Sequence, residues 1–109
     1  MLKPIALHIL LALVDSDNYG YALMQAIRER SAGQVPVQTA SFYRHLARLM
    51  DDGLVVEASA RRDGDDPRRG SYYRITPRGR QVLAEEKRRL TDLVDQMKKV
   101  RLSPRKAGA

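Results

Sequence analysis

The stretch that decides the fold runs from residue 39 to residue 79. It reads TASFYRHLARL over residues 39–49, DGLVV over 52–56 and YYRITPRG over 72–79. The order is a helix with an apolar stripe and a basic face, a glycine stop, a β-prone run, a charged loop, a second alternating run and a proline that opens another helix. This order predicts a mainly α (α+β) domain, a winged helix-turn-helix with a long C-terminal dimerisation helix.

The helix predicted before Gly53 has two different faces. The apolar stripe, expected to face the core, comprises Phe42, Leu46, Leu49 and Gly53. The opposite face carries small and polar residues: Ala40, Ser41, Arg44, Ala47, Arg48 and Asp51. Small residues between polar ones let a helix approach base edges closely in the major groove of DNA. Taken alone, this face could equally be an ordinary solvated surface, so its interpretation depends on the residues C-terminal to it.

Two β-prone runs come after Gly53, with an arginine-rich loop between them. The second run, Ser71 to Thr76, alternates so that Tyr73 and Ile75 share one face. The loop carries four arginines around three aspartates, namely Arg61, Arg62, Asp63, Asp65, Asp66, Arg68 and Arg69. Such a hairpin is typical of a wing whose arginines straddle a DNA backbone. The alternative is a charged, solvated loop in which the acids partly cancel the field of the arginines.

Two further helices precede this stretch. Residues from Pro4 to Val14 are apolar in nearly every helical direction, which predicts a helix buried at the centre of the domain or under a partner subunit. Residues 15–18 are turn and N-cap types, and from Tyr19 onward apolar residues recur every three or four, which predicts an amphipathic helix that ends near Gly33. Pro36 predicts a short extended piece over residues 34–37.

A long terminal helix is predicted from Arg78 to about Leu102, because Thr76 and Pro77 form an N-cap followed by a first-turn proline. Its heptad seam comprises Leu83, Leu90, Leu93, Met97 and Val100, with Glu86 as the polar break. A small domain has little core left to cover this seam, so a homodimer is expected; the alternative is that the seam packs on the first helix of the same chain. The predicted organisation is a DNA-binding domain over residues 1–76, a dimerisation helix over 77–102 and a disordered basic tail over 103–109.

Composition narrows the class of function. The 109 residues include 20 Lys and Arg against 13 Asp and Glu, for a formal net charge of +7, which favours a polyanionic partner such as double-stranded DNA. Cysteine is absent from the sequence, and the two histidines, His8 and His45, fall on different predicted helices. With no metal-spaced cluster and no glycine-rich phosphate loop, the sequence predicts no enzyme, no metal site and no cofactor.

The longest apolar run, from Ile5 to Val14, is about half of what spans a bilayer. No small-residue cleavage site comes after it. We therefore expect a cytoplasmic protein with no membrane partner.

Several motifs together resemble the PadR-like family of transcriptional regulators. They are Pro4-Ile5, YGYAL at residues 19–23, SFYRHLARL at 41–49, GLV at 53–55 and YYRITPRG at 72–79. The single terminal helix is similar to the short branch of that family, in which one C-terminal helix packs across the dimer. The chain departs from the family pattern at two positions, where Ala40 replaces a frequent glycine and Phe42 replaces a frequent aliphatic residue.

The resemblance implies a homodimer that binds an inverted-repeat operator and represses transcription, in some members under the control of a phenolic or drug-like effector. The DNA contacts that it implies are Thr39, Ser41, Tyr43, Arg44 and Arg48 on the recognition helix and Arg61, Arg62, Arg68 and Arg69 in the wing. A winged helix can instead serve as a protein–protein interaction module that does not bind DNA. In such modules the corresponding helix face tends to be acidic or apolar, so Arg44 and Arg48 favour DNA.

Overall fold

Four helices and three strands make up the part of the chain, residues 1–58 and 71–103, that the computed structural model describes. They are α1 (Pro4–Asp15), β1 (Asn18–Tyr19), α2 (Gly20–Arg30), α3 (Thr39–Asp51), β2 (Val55–Ala58), β3 (Tyr72–Ile75) and α4 (Pro77–Lys98). The wing residues Arg61, Arg62, Arg68 and Arg69, and the predicted tail beyond Ser103, lie outside the described residues.

The three strands form an antiparallel sheet in the order β1-β3-β2. In the hairpin, Val55 pairs with Ile75 and Ala58 pairs with Tyr72. β1 corrects the sequence analysis, which assigned residue 18 to a turn and cap: Asn18 pairs with Tyr73 and Tyr19 with Tyr72. A strand of two residues is too short to show an alternating pattern, so it could not be recognised from the sequence.

The core lies where α1, α2 and α3 meet the sheet. Its fully buried large side chains are Ile9, Leu10, Leu13, Leu23, Ile27, Phe42, Leu46 and Val55. The predicted α3 stripe is confirmed for its three large members but is wrong for Gly53, which is exposed and lies past the helix end at φ +76°. There Gly53 N–H donates to the carbonyl of Met50 and Leu54 N–H donates to that of Leu49, a Schellman motif that needs the left-handed backbone of glycine.

α4 begins as predicted but ends early. The Thr76 hydroxyl accepts from the N–H of Gly79 at 2.9 Å, and Pro77 opens the helix. The helix ends at Lys98 rather than near Leu102, so Val100 lies beyond it. Helices are stabilised mainly by packing. Residues 91–103 are all exposed, so the last predicted turn has nothing in the described chain to pack against.

Candidate nucleic-acid interface

The outer face of α3 is an exposed helical surface that carries arginines beside small residues. Of the five DNA contacts predicted on this helix, four are exposed and Ser41 is half-buried; the exposed ones are Thr39, Tyr43, Arg44 and Arg48. Ala40 and Ala47 are also exposed between them. The middle of this face thus carries the small side chains of Ala40 and Ala47 together with the long side chain of Arg44.

The arginine side chains of this face are available to a ligand. Arg48 forms an ion pair with Asp52 across 3.5 Å, and both side chains are largely exposed. Such pairs contribute little to stability, because solvent screens them. A phosphate or a base edge could therefore compete for the Arg48 guanidinium at small cost.

One edge of this face adjoins the start of α2. A Cβ atom added to Gly20 would lie 2.8 Å from the Tyr43 hydroxyl and 3.1 Å from the ring, so glycine is what allows the phenol to lie over the first turn of α2. The N-cap residue of α2 offers no side-chain cap bond. First-turn amides without a side-chain cap can bind a phosphate, and Tyr43 stands beside them.

The other edge of the face adjoins the segment before α1. Lys3 and Ala6 line a cleft together with Arg44, His45 and Arg48. Sequence reasoning did not select Lys3 or His45, because nothing in the local sequence shows that the start of the chain returns to α3. Among the described residues that line the cleft, Asp52 supplies the carboxylate, so the cleft carries little negative charge.

The described part of the wing is tied to the helical body. Arg74 on β3 donates to the carboxylate of Asp17 at 2.9 Å. The Thr76 hydroxyl donates to the carbonyl of Gly53 at 2.7 Å, so the end of the hairpin is fixed to the end of α3. These bonds fix the described part of β3 beside β1 and the end of α3.

The predicted dimer seam divides into a packed and an exposed part. Leu83 and Leu90 are half-buried, whereas the exposed fractions of Leu93, Met97 and Val100 are 40%, 43% and 58%. The heptad assignment on α4 missed Val94, which is 46% exposed, and on α1 the side chain of Leu11 is 42% exposed.

Glu86 does not face outward as a polar break in the seam. It is buried, and its carboxylate accepts from Arg89 at 2.8 and 3.3 Å and from the backbone of Leu2. The hydrogen bond from Arg89 is the main reason that the pKa of Glu86 lies below its ordinary value. The first half of α4 therefore packs on the chain's own α1, which was the alternative that the sequence left open.

A groove with a volume of about 590 Å³ runs between α1 and α4. Its apolar lining comprises Leu7, Leu11, Val14, Leu83, Leu90 and Val94. Basic side chains, Arg80 and Lys87 among them, stand at its border. An open apolar groove of this size, next to an exposed apolar stripe, is a surface that a partner or a ligand would cover.

Two other kinds of site are not found in the described residues. Within residues 1–58 and 71–103, no group of three or more His, Cys, Asp or Glu could hold a metal ion. No helix in the same ranges has the length and hydrophobicity to span a membrane.

Comparison with known proteins identifies the family. Residues 9–85 match the transcriptional regulator PadR-like family. The chain is 37% identical, over 82% of its length and 78% of the relative, to transcriptional regulator Rv3488 of Mycobacterium tuberculosis. The fold resembles a PadR family transcription regulator from Clostridium difficile, with a TM-score of 0.75 at 22% identity over 89% of this chain and 97% of the other.

A transcriptional regulator from Clostridium thermocellum is also similar, with a TM-score of 0.68 at 25% identity over 89% of this chain and 97% of the other. These comparisons confirm the predicted resemblance and the predicted fold class. They also confirm that the chain is not an enzyme, since the family consists of transcriptional regulators.

Proposed function

Since the chain belongs to the PadR-like family of transcriptional regulators, we propose that it is a DNA-binding repressor that binds an inverted-repeat operator as a homodimer. The recognition helix is α3, and the hairpin of β2 and β3 is the wing. The observation that carries this proposal is the exposed face of α3, where Arg44 and Arg48 lie beside two exposed alanines. A protein-interaction module would be expected to show an acidic or apolar face there.

On α3, one residue is proposed to read a base and the others to contact the DNA along the margins of the helix. Arg44 lies one turn after the start of the helix and is exposed, so it is the residue best placed to read a guanine through two hydrogen bonds. Thr39, Ser41, Tyr43 and Arg48 lie along the margins and contact the backbone or neighbouring base edges. The wing arginines Arg61, Arg62, Arg68 and Arg69 neutralise phosphates and add affinity that does not depend on sequence.

The homodimer forms through α4. The molecule measures 66 × 26 × 21 Å, so it is far longer than it is wide. The second half of α4 exposes Leu93, Val94 and Met97 on one side, and a partner's helix could cover them. A two-fold dimer must hold its two recognition helices about one turn of DNA, roughly 34 to 36 Å, apart. An interface built on α4 sets that distance.

The groove between α1 and α4 is where a phenolic or drug-like effector would act. A ligand lodged there against the partner's α4 bears directly on the separation of the two recognition helices. By linkage, ligand and operator would then weaken each other's binding by the same factor. Calorimetric titration of a phenolic panel, with and without operator, measures this factor; equal affinity in both states would exclude the ligand as an inducer.

The function is tested by selecting bound fragments of genomic DNA with the purified protein. We expect a shared inverted repeat, whereas failure to enrich any sequence would favour the interaction module. On the selected operator, Arg44→Ala should cost about 1 to 3 kcal/mol, with little effect on random DNA. Arg68→Ala combined with Arg69→Ala should weaken both DNAs alike and lower the salt slope. Arg88→Ala, on the exposed side of α4, is the matched arginine control.

A further inference from the structure

A cleft of about 450 Å³ separates the segment before α1 from α3. The segment contributes Met1, Leu2 and Lys3, and α3 contributes Arg44, His45 and Arg48. The cleft opens at the edge of the recognition face opposite to Gly20 and Tyr43. The DNA contacts proposed for α3 and the wing do not include Lys3 or His45.

The segment before α1 is held against α4 by the buried carboxylate of Glu86. The N–H of Leu2 donates to the carboxylate of Glu86, which Arg89 holds at 2.8 Å. The Leu2 side chain is partly buried against the core. Lys3 is thus anchored by the residue before it and by the start of α1 at Pro4. Glu86 is the positioning residue that keeps Lys3 beside α3.

The charges in the cleft favour an anion. Lys3, Arg44 and Arg48 line it together with Met1, whose α-amino group adds a further positive charge, and among the described lining residues Asp52 supplies the carboxylate. Burial, followed by repulsion from Lys3 and then Arg44, lowers the pKa of the half-buried His45 below its ordinary value. Behind Leu2, Glu86 is already neutralised by Arg89. A bound anion would offset this repulsion and favour the protonated imidazole.

Geometry indicates which anion the cleft meets. A helix with side chains is about 10 to 12 Å across and the major groove is about 12 Å wide. A helix seated there therefore has a phosphate backbone along each edge. On α3, one edge carries Tyr43 beside the first turn of α2, and the other carries His45 and Arg48 beside Lys3. A backbone phosphate is thus the anion that reaches the cleft when α3 is docked.

We propose that this cleft receives a phosphate of the DNA backbone, held by Lys3, His45 and Arg48. The site rests on the proposed function, since it is filled when α3 docks in the groove. His45 then gains a proton on binding, because the phosphate stabilises the charged ring. Affinity for DNA should therefore rise as the pH falls through the pKa of His45 in the complex and level off below its pKa in the free protein.

The pH dependence of DNA affinity tests the role of His45. For wild type, affinity should increase between pH 8 and pH 5.5, by at most about tenfold per pH unit for each chain. His45→Gln should remove most of this dependence. His8→Gln, which changes the other histidine of the sequence, should keep it. A His45→Gln variant with the full wild-type dependence would overturn the assignment.

The salt dependence tests the phosphate contact itself. Lys3→Gln should lower the salt slope by about one unit per chain, on operator and random DNA alike. Lys99→Gln, which removes a lysine at the end of α4, is the matched control and should leave the slope unchanged. An unchanged slope for Lys3→Gln, in a variant with wild-type thermal stability, would also overturn the assignment.

Inorganic phosphate distinguishes a backbone site from a small-anion site. The His45 ring is followed by NMR as phosphate is added without DNA. If free phosphate raises the pKa of His45 while Lys3→Gln leaves DNA binding unaltered, the cleft serves a small anion and the proposal fails. If the wild-type protein does not bind DNA, both this site and the proposed function are overturned. If the wild type binds DNA but His45→Gln keeps its pH dependence and Lys3→Gln keeps its salt slope, this site alone is overturned.

Discussion

The two halves of α4 share one amphipathic pattern but have different surroundings. In residues 77–90, Gly79 and Glu86 are buried and Leu83 is partly buried against the core. In residues 91–98, every residue is exposed, including Val94 and Met97. The difference shows that periodicity identifies which stripe of a helix needs a partner but not whether the partner is the same chain or another. The first half should therefore control folding and the second half assembly.

Gly79→Ala is expected to have the largest effect, because it acts where α4 lies close to Leu54 and to Ile75 of β3. An added Cβ would collide with the carbonyl oxygen of Leu54 and would lie 2.7 Å from Cγ1 of Ile75. Alanine gains about 1 kcal/mol of helix propensity, but backbone atoms cannot move aside cheaply. We expect a net destabilisation of about 3 kcal/mol, measured by urea or thermal unfolding.

Gly33→Ala is the matched control for this substitution. Gly33 also has a special backbone, at φ +78°, but nothing lies within 4 Å of an added Cβ. Its cost should be limited to about 1 kcal/mol of conformational strain. If the two variants were equally stable, the close packing of α4 on Leu54 would not be what holds the first half of the helix.

Val94→Asp is expected to have the next largest effect, on assembly rather than on folding. Val94 lines the groove and is 46% exposed in the single chain, so its change should leave the fold of the monomer intact. In a dimer, each chain would lose about 1.5 kcal/mol or more of apolar burial and would bury a charge. The dissociation constant should rise at least about tenfold in sedimentation velocity.

Gln96→Asp introduces the same charge on the exposed half of α4, at a residue that does not line the groove. It should dimerise like wild type. If both variants sediment as dimers like the wild type, the interface must lie elsewhere. The exposed half of α4 would then not be the part of the helix that controls assembly.

The sequence predicts most of the helical framework because each signal there is local. Thr76 and Pro77 fix the start of α4, Gly53 ends α3, and Phe42, Leu46 and Leu49 define a buried stripe. The short strand β1 and the early end of α4 were missed, because both depend on what the segment meets in three dimensions. Asn18 is extended through its pairing with Tyr73, and residues after Lys98 have no packing surface in the described chain.

In the candidate site, too, the sequence predicts the residues that depend on local pattern and misses those that depend on long-range packing. Arg44 and Arg48 could be found because α3 is a local amphipathic helix. Lys3 and His45 could not, since they are more than forty positions apart in sequence and meet through the packing of α1 on α3. The role of Glu86 was also hidden, because a heptad pattern cannot show that a carboxylate turns toward the N–H of Leu2.

Glu86→Gln is expected to have the smallest effect, and it tests the boundary between the two halves of α4. Because Arg89 and Leu2 donate to the carboxylate, its pKa in the folded protein is lower than in the unfolded chain. The charged form therefore stabilises the fold above the ordinary value of 4.5, and that stabilisation is lost as the pH falls through the lower folded pKa. Glu86→Gln should lower the melting temperature by roughly 2 to 5 °C at pH 7 and converge with wild type only as the pH falls below the lowered pKa of Glu86 in the folded protein. Glu85→Gln, one position away and exposed, should show no such gap. A gap that persists unchanged at low pH would mean that Glu86 acts through its shape rather than its charge, and that the segment before α1 is held by the packing of Leu2 alone.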